Sequence, residues 1–249
     1  MLRDKAGLVT GAASGIGRAC ALRLATEDAA VVVSDLESAR DRCQQTAREI
    51  AQAGGPAEFV ACDVADEQEQ QDLVDHVVRT YGRLDFAHNN AGIGPHALLA
   101  DTSAEDFDRT VRVNLRGTFL VMKHQFRQML RDGGGSIVNT SSNACLRGAP
   151  QIGAYAATKH GVIGLTSTAA VEYGEQGIRV NAVCPGVIRT PLTTRLSEER
   201  QAEICAPQAI KRVGEPTDVA AAVAWLCSAG SSFVTGAAMP VDAGSVAGL

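Results

Sequence analysis

Short apolar runs alternate along this chain with longer segments whose apolar positions recur every three or four residues. Gly7–Thr10, Ala29–Ser34, Ala57–Cys62, Leu84–His88, Gly135–Thr140, Ile178–Val183 and Ala238–Val241 read as strands, with helical patterns between them. Strands alternating with helices predict an α/β fold: a doubly wound, Rossmann-type sheet of seven parallel strands with helices on both faces. Right-handed crossovers place any ligand at the carboxyl ends of the strands, near the point where strand order reverses. No repeat, low-complexity tract or linker interrupts the pattern, so residues 1–249 are expected to form one domain. The stretch at about 190–212 is expected to act as its substrate loop.

Between Ala104 and Arg131 a single helical stripe collects Phe107, Val111, Leu115, Phe119, Met122, Phe126 and Met129, while Val113, Leu120 and Val121 point elsewhere. That is more apolar surface than one buried face requires. A well-buried helix accounts for it, and so does a partner subunit.

Composition then narrows the function classes. A hydrophobic share of 45% and a charged share of 20% describe an ordinary globular chain without disordered stretches. The net charge of −5, with no long cluster of Lys or Arg, argues against nucleic acid or an anionic membrane as a main partner. No apolar run reaches the ~18 residues that span a bilayer, and no secretion signal is visible. Seven scattered cysteines without a C-x-x-C pair suit a reducing cytoplasm, and the five histidines show no metal-binding spacing.

Directly after the first strand comes Thr10-Gly-Ala-Ala-Ser-Gly-Ile-Gly17. Its glycines permit a tight turn, close approach of backbone to a pyrophosphate, and packing of the following helix, whose N-terminus faces the phosphates. The spacing is G-x-x-x-G-x-G rather than the commoner G-x-G-x-x-G, and a glycine turn that merely joins strand to helix would look similar. The second strand ends at Asp35, where a carboxylate can accept from both hydroxyls of an adenosine ribose. The same charge repels a 2′-phosphate by about 4 kcal/mol per pair of unit charges at ~4 Å and an effective dielectric of ~20. No basic residue stands at Ser14 or Leu36, although Arg40 and Arg42 are near enough to bend toward such a phosphate, so NAD is expected over NADP. Asp63, beside Val64, is placed either to meet the adenine edge or to cap the next helix. Asn89-Asn-Ala-Gly92 brings backbone close to the riboses, or is a turn held by Asn side chains.

Tyr155 and Lys159 stand i, i+4, so on a helix both rise from one face. A phenol titrating near 10 is a poor base at neutral pH, and lowering it by ~3 units takes roughly 4 kcal/mol, which one nearby ammonium can supply. Surface neighbours at this spacing are also common. Ser142, just past the fifth strand, lies at the same sheet edge, either as a turn hydroxyl or as a hydrogen-bond donor. Asn114 sits within the long helical stretch, where its propensity is poor.

Taken together, these segments resemble the short-chain dehydrogenase/reductase superfamily over nearly every residue from Lys5 to Gly244. The matching elements are Thr10–Gly17, Asp63, Asn89–Gly92, Asn114, Ser142, Tyr155-x-x-x-Lys159, Pro185-Gly186 with Thr190, Val234-Thr-Gly236 and Val241-Asp242. The resemblance implies that Tyr155 exchanges a proton with the substrate oxygen as hydride moves, and that Lys159 lowers its pKa and binds the nicotinamide ribose. It further implies that Ser142 donates to the substrate oxygen, that Asn114 holds a water in a proton relay, and that the assembly is a homo-oligomer, expected to be a tetramer. The implied cofactor site is Gly11, Ser14, Gly15, Ile16, Gly17, Asp35, Leu36, Cys62, Asp63, Val64, Asn90, Ala91, Gly92, Tyr155, Lys159, Pro185, Gly186, Ile188 and Thr190. Two departures stand out: Cys145, where many relatives carry glycine, and Asp242-Ala-Gly in place of the commoner Asp-Gly-Gly.

The expected reaction is hydride transfer between NAD(H) and a secondary alcohol or ketone, hydrophobic or cyclic, with no metal. Specificity is expected from Gly94, Pro95, His96, Asn143, Cys145, Gln151, Ile152 and the segment Pro191–Lys211, with Arg147 and Arg195 as unplaced anion clamps. Three alternatives stay open: NADPH-dependent reduction of a 3-oxoacyl carrier protein, a nucleotide-sensing protein without chemistry, and a methyltransferase, against which the Tyr/Lys spacing argues.

Overall fold

The computed structural model describes residues 2–247 except 192 and 194–196, with the backbone alone at 198, 200, 202 and 204. Arg195 therefore lies outside the described residues. All seven expected strands are present: β1 (Ala6–Thr10), β2 (Ala30–Asp35), β3 (Ala57–Ala61), β4 (Phe86–Asn89), β5 (Gly135–Thr140), β6 (Ile178–Pro185) and β7 (Ala238–Val241). They pair in parallel in the order β3-β2-β1-β4-β5-β6-β7. The chain reverses direction across the sheet between β1 and β4, which opens a crevice at their carboxyl ends. β4 begins two residues later than the apolar run suggested, because the Leu84 N–H donates to the Asp132 carboxylate at 2.8 Å instead of joining the ladder.

The helices are α1 (Gly15–Ala25), α2 (Arg40–Gln52), α3 (Glu67–Tyr81), α4 (Ala104–Thr110), α5 (Gly117–Asp132), α6 (Gly153–Tyr173), α7 (Glu198–Cys205) and α8 (Pro216–Cys227). Alternation along each strand sends side chains to opposite faces. Val9, Val31, Val33 and Val138 pack with Cys20 and Leu24 of α1, Ile50 of α2 and Val223 and Leu226 of α8. Leu8, Val32, Ala87 and Ile137 pack on the other face with Leu73 and Val77 of α3, Phe126 and Met129 of α5 and Ala169 of α6. The central strands are covered on both sides, which is why they read as uninterrupted apolar runs.

The long helical stretch is not one regular helix. A π-helical turn, Val111–Arg116, joins α4 to α5, and the extra residue it accommodates rotates everything after it relative to a 3.6-residue repeat. The expected stripe therefore divides. Met122, Phe126 and Met129 are buried together with Leu120 and Val121, whereas Phe107 and Phe119 keep 44% and 50% of their surface exposed.

At Asp242-Ala-Gly, Ala243 adopts φ 58° and Gly244 φ 76°, two left-handed residues in succession. The turn is fastened by the Asp242 carboxylate, which accepts from Gly244 N at 3.1 Å and Val246 N at 3.0 Å. A left-handed alanine costs about 1–2 kcal/mol, partly offset by the greater freedom glycine has in the unfolded chain. Ala243→Gly is accordingly expected to stabilise the fold by about 0.5–1 kcal/mol in urea unfolding. A clear loss of stability would show that Ala243 is not strained.

Candidate active site

The turn after β1 is shaped by close approach. Gly11 has φ 66° and Gly15 φ 52°, and a Cβ on Gly17 would lie 2.2 Å from the Gly11 carbonyl oxygen, so α1 packs against the turn only because residue 17 has no side chain. The turn after β4 is stitched to it. The Thr10 hydroxyl accepts from Asn90 N at 3.0 Å and Ala91 N at 3.2 Å, while Asn90 Nδ2 donates to the carbonyls of Thr10 and Gly11 at 3.2 and 3.3 Å. Asn89 faces the other way, into a buried network with Gln125 and Asn139.

These turns wall a cleft of about 490 Å³ that Gly11, Ser14, Gly15, Ile16, Asp35, Leu36, Cys62, Asp63, Val64, Asn90, Ala91, Gly92 and Thr190 line. Glycines where a Cβ would close the cradle, and backbone at the N-terminus of α1, suit the phosphates of a dinucleotide. At the β2 end the Asp35 carboxylate is held by Ala13 N at 3.1 Å and Leu36 N at 2.8 Å. Arg40 is engaged elsewhere, paired with Glu37 at 2.5 Å and lying 5.0 Å from the Phe59 ring centroid. Asp63 does not cap α3. Its carboxylate accepts from Ala65 N at 2.9 Å, and Asp66 is the cap, accepting from Gln68 N and Glu69 N.

Six expected residues lie outside the lining of that cleft, Tyr155 and Lys159 among them. Gly17 sits behind the turn. Pro185 continues β6 opposite Val241, and a Cβ on Gly186 would lie 2.8 Å from Asp242 Cα. Ile188 lines a neighbouring cavity of about 280 Å³ with Val187 and Gln208. Conversely, Ala65, Ile93, Arg109, Arg112, Val113 and Pro191 line the cleft and were not expected there. Arg109, Arg112 and Val113 fall at i, i+3 and i+4, a spacing that puts them on one helical face and that the sequence displays.

At the other end of the cleft, Gly92 lies between Asn114 and Lys159: a Cβ there would be 3.3 Å from Asn114 Oδ1 and 3.5 Å from Lys159 Nζ. The Asn114 amide clamps Ile93 in both directions at 2.8 Å and donates to Thr158 Oγ1 at 3.1 Å, while the Asn114 backbone carbonyl accepts from Thr118 Oγ1 at 2.7 Å. Asn114 thus spends its side chain outside its own helix, at the turn where regular helical bonding lapses. Ser142 accepts from Ala144 N at 3.1 Å, and Gly94 leaves the Tyr155 ring open, since a Cβ would come within 3.0 Å of it. His96, in contrast, is exposed.

Lys159 is 3% exposed, its Nζ donates to the Thr140 carbonyl at 2.7 Å, and it stands 5.5 Å from the Tyr155 ring centroid. Burial pushes the ammonium down from 10.5 to about 8. The Tyr155 phenol is shifted up, because burial outweighs the opposing hydrogen bond to Ser142. This is opposite to the depression the spacing suggested, and the reason is geometric: Lys159 aims an N–H at Thr140 rather than at the phenol. His88, a histidine inside an apolar strand, lies beneath. Burial pushes it down to about 3, so it is neutral, with Nε2 2.8 Å from Thr140 Oγ1 and Nδ1 without a partner among the described residues. Thr140 Oγ1 donates to Asn90 Oδ1 at 3.3 Å, which leaves His88 Nε2 to carry the donating proton.

A buried, polarising cation stands beside a partly buried phenol and a serine hydroxyl, next to a cleft whose cradle suits a dinucleotide, an arrangement that can exchange protons beside a nicotinamide. The family model described as enoyl-(acyl carrier protein) reductase matches residues 11–245. The chain belongs to the short-chain dehydrogenase/reductase superfamily. It is 42% identical to cyclohexanol dehydrogenase of an Acinetobacter strain, over 96% of this chain and 94% of that one. It is 41% identical to 2,5-dichloro-2,5-cyclohexadiene-1,4-diol dehydrogenase of Sphingobium indicum, over 99% and 98%. The crystal structure of levodione reductase superposes with a TM-score of 0.94 at 36% identity over the whole of both chains. As a member of this superfamily the chain is an oxidoreductase that acts on alcohols or ketones with a nicotinamide cofactor.

The lysine that defines the site also costs stability. Its displacement from 10.5 to about 8 corresponds to a burial cost on the order of 3 kcal/mol at neutral pH. The unfolded chain binds the proton more tightly, so stability rises as pH climbs from 8 toward 10.5. Lys159→Met is expected to be more stable than the wild type at pH 7 by about 1–3 kcal/mol in urea unfolding. That advantage should fade as pH rises through the same window. Equal or lower stability of the variant at pH 7 would contradict the burial cost.

Proposed function

We propose that this protein oxidises secondary alcohols of a cyclic or otherwise hydrophobic class with NAD, and runs the reverse reduction of the ketone. What supports the reading above all is the convergence of Tyr155, Ser142 and Lys159 at one end of a cleft whose other end is Asp35. Residues 1–249 act as one dinucleotide-binding catalytic domain, with the stretch at about 190–212 forming the substrate side.

When bound, the nicotinamide supplies the hydride acceptor. The rest of the work falls to side chains. Ser142 donates to the substrate oxygen and holds it beside Tyr155, whose phenolate takes the hydroxyl proton during oxidation. Burial raises the Tyr155 phenol, so forming the phenolate requires the Lys159 ammonium to direct one of its three N–H groups toward it and toward the nicotinamide ribose. Thr140 occupies only one of those donors. Asn114 Oδ1, with one acceptance used by Ile93, keeps a lone pair at Gly92 to hold a water that relays protons from Lys159.

NAD is favoured over NADP because Asp35, fixed by two backbone N–H groups, accepts from the ribose hydroxyls and opposes a 2′-phosphate, while Arg40 is already paired. The family description names an acyl-carrier reductase. NADPH-dependent acyl-carrier reduction needs a cationic ribose site, and Asp35 opposes one. The seven free cysteines suit a reducing cytoplasm. Homo-oligomerisation, with a tetramer as our reading, is supported by a groove between α5 and α6 lined by Phe119, Phe126, Leu130 and Tyr173, of which Phe119 and Leu130 stay about half exposed.

Steady-state oxidation of cyclohexanol and related cyclic alcohols, followed through the reduced nicotinamide, tests the reading. NAD is expected to be preferred over NADP by at least about tenfold in kcat/KM, in line with the Asp35 repulsion. Tyr155→Phe should lower kcat by about 10²–10⁴-fold with NAD affinity nearly unchanged. A preference for NADP, or near-normal turnover of Tyr155→Phe, would overturn it.

A further inference from the structure

Cys145 and Cys184 are two of the buried groups that the proposed reaction leaves unused, and they are in contact: their sulfurs are 3.6 Å apart. Cys184 is fully buried in β6, one residue before Pro185-Gly186 and the loop that carries Ile188 and Thr190. Cys145 ends the short helical turn Asn143–Cys145 that begins immediately after Ser142, and its N–H donates to the Ser142 carbonyl at 3.0 Å. The pair therefore joins the two segments that would grip the substrate oxygen and the nicotinamide. Among the described residues no other two cysteine sulfurs are recorded in contact.

We propose that Cys145 and Cys184 form an oxidisable dithiol, a modification site for hydrogen peroxide whose disulfide withdraws Ser142 from the substrate position. The Cys145 thiolate attacks one peroxide oxygen, the O–O bond breaks, and hydroxide leaves, giving a sulfenic acid. The Cys184 thiol then attacks that sulfur, the S–O bond breaks, and water departs with the thiol proton. Two thiols are oxidised and one peroxide is reduced to two waters. Cys145 is the attacking partner because it retains 7% exposure against none for Cys184, and the hydrogen bond it shares with Cys184 shifts its thiol down. Cys184 is shifted up and stays protonated until the second step.

A disulfide brings the sulfurs from 3.6 Å to about 2.05 Å, so between them the two cysteines must close a gap of about 1.5 Å. Cys184 is held in a strand paired on both sides, whereas Cys145 sits on a short turn between β5 and α6. The turn is the part that yields, and Ser142 moves with it.

The effect on activity rests on the function proposed above, but the chemistry does not. The intact protein, cleared of reductant, is treated with hydrogen peroxide, its remaining thiols are alkylated, and peptides are mapped by mass spectrometry beside an assay with cyclohexanol and NAD. The expected result is a Cys145–Cys184 linked peptide, with activity falling at least about tenfold in step with its yield and returning with dithiothreitol. Cys184→Ala should give neither the linked peptide nor the dithiothreitol-reversible loss. If that variant folds poorly by circular dichroism, Cys145→Ala provides the same comparison. Complete peroxide exposure without a Cys145–Cys184 link, or a full link with activity unchanged, would overturn the proposal. If the reduced protein shows no alcohol oxidation, the functional reading fails, and the linked peptide still decides the dithiol.

Discussion

Everything around the site depends on holding one ammonium inside the protein. Lys159 is stripped of water by α6, by the end of β5 and by the turn after β4, and its charge is kept by a single carbonyl, that of Thr140. Burial of that kind is unfavourable, and it persists only where the surroundings are fixed, because a charge in a soft pocket regains water. The neighbouring polar contacts supply that fixity. His88 holds the Thr140 hydroxyl, Thr140 holds Asn90, Asn90 holds the glycine turn after β1, and Asn114 holds Ile93 on the far side of Gly92. The dinucleotide cradle and the proton-handling end are thereby parts of one hydrogen-bonded network at the point where strand order reverses.

The same network explains an apparent conflict. The Tyr155 phenol, which we propose as the base, is shifted up here, and the lysine expected to lower it points at a backbone carbonyl. Both groups are displaced toward their neutral forms by burial, the phenol up and the ammonium down to about 8, so they stand further apart in proton affinity than they do in water, and lowering the phenol requires Lys159 to turn an N–H from Thr140 toward it.

How much of this was legible in the sequence follows from the range of the interactions. Strand positions were readable because burial on both faces leaves long apolar runs, and the cradle was readable because Gly11, Gly15 and Gly17 answer backbone constraints only a few residues apart. The π-helical turn was not. It coincides with Asn114 bonding Ile93, a contact between distant parts of the chain, and it rotates the stripe after it, so that Phe119 is exposed while Leu120 and Val121 are buried. Likewise, nothing local marks His88 as the partner of Thr140, or Cys145 as the neighbour of Cys184. Those pairings exist only because β4 lies beside β5 and β5 beside β6.

The buried charge of Lys159 can be observed directly by NMR titration of the protein carrying labelled lysine side chains. The account predicts one lysine titrating near 8, lost in Lys159→Met. If the Lys159 ammonium titrates near 10.5, it is not desolvated and the account of the site is wrong.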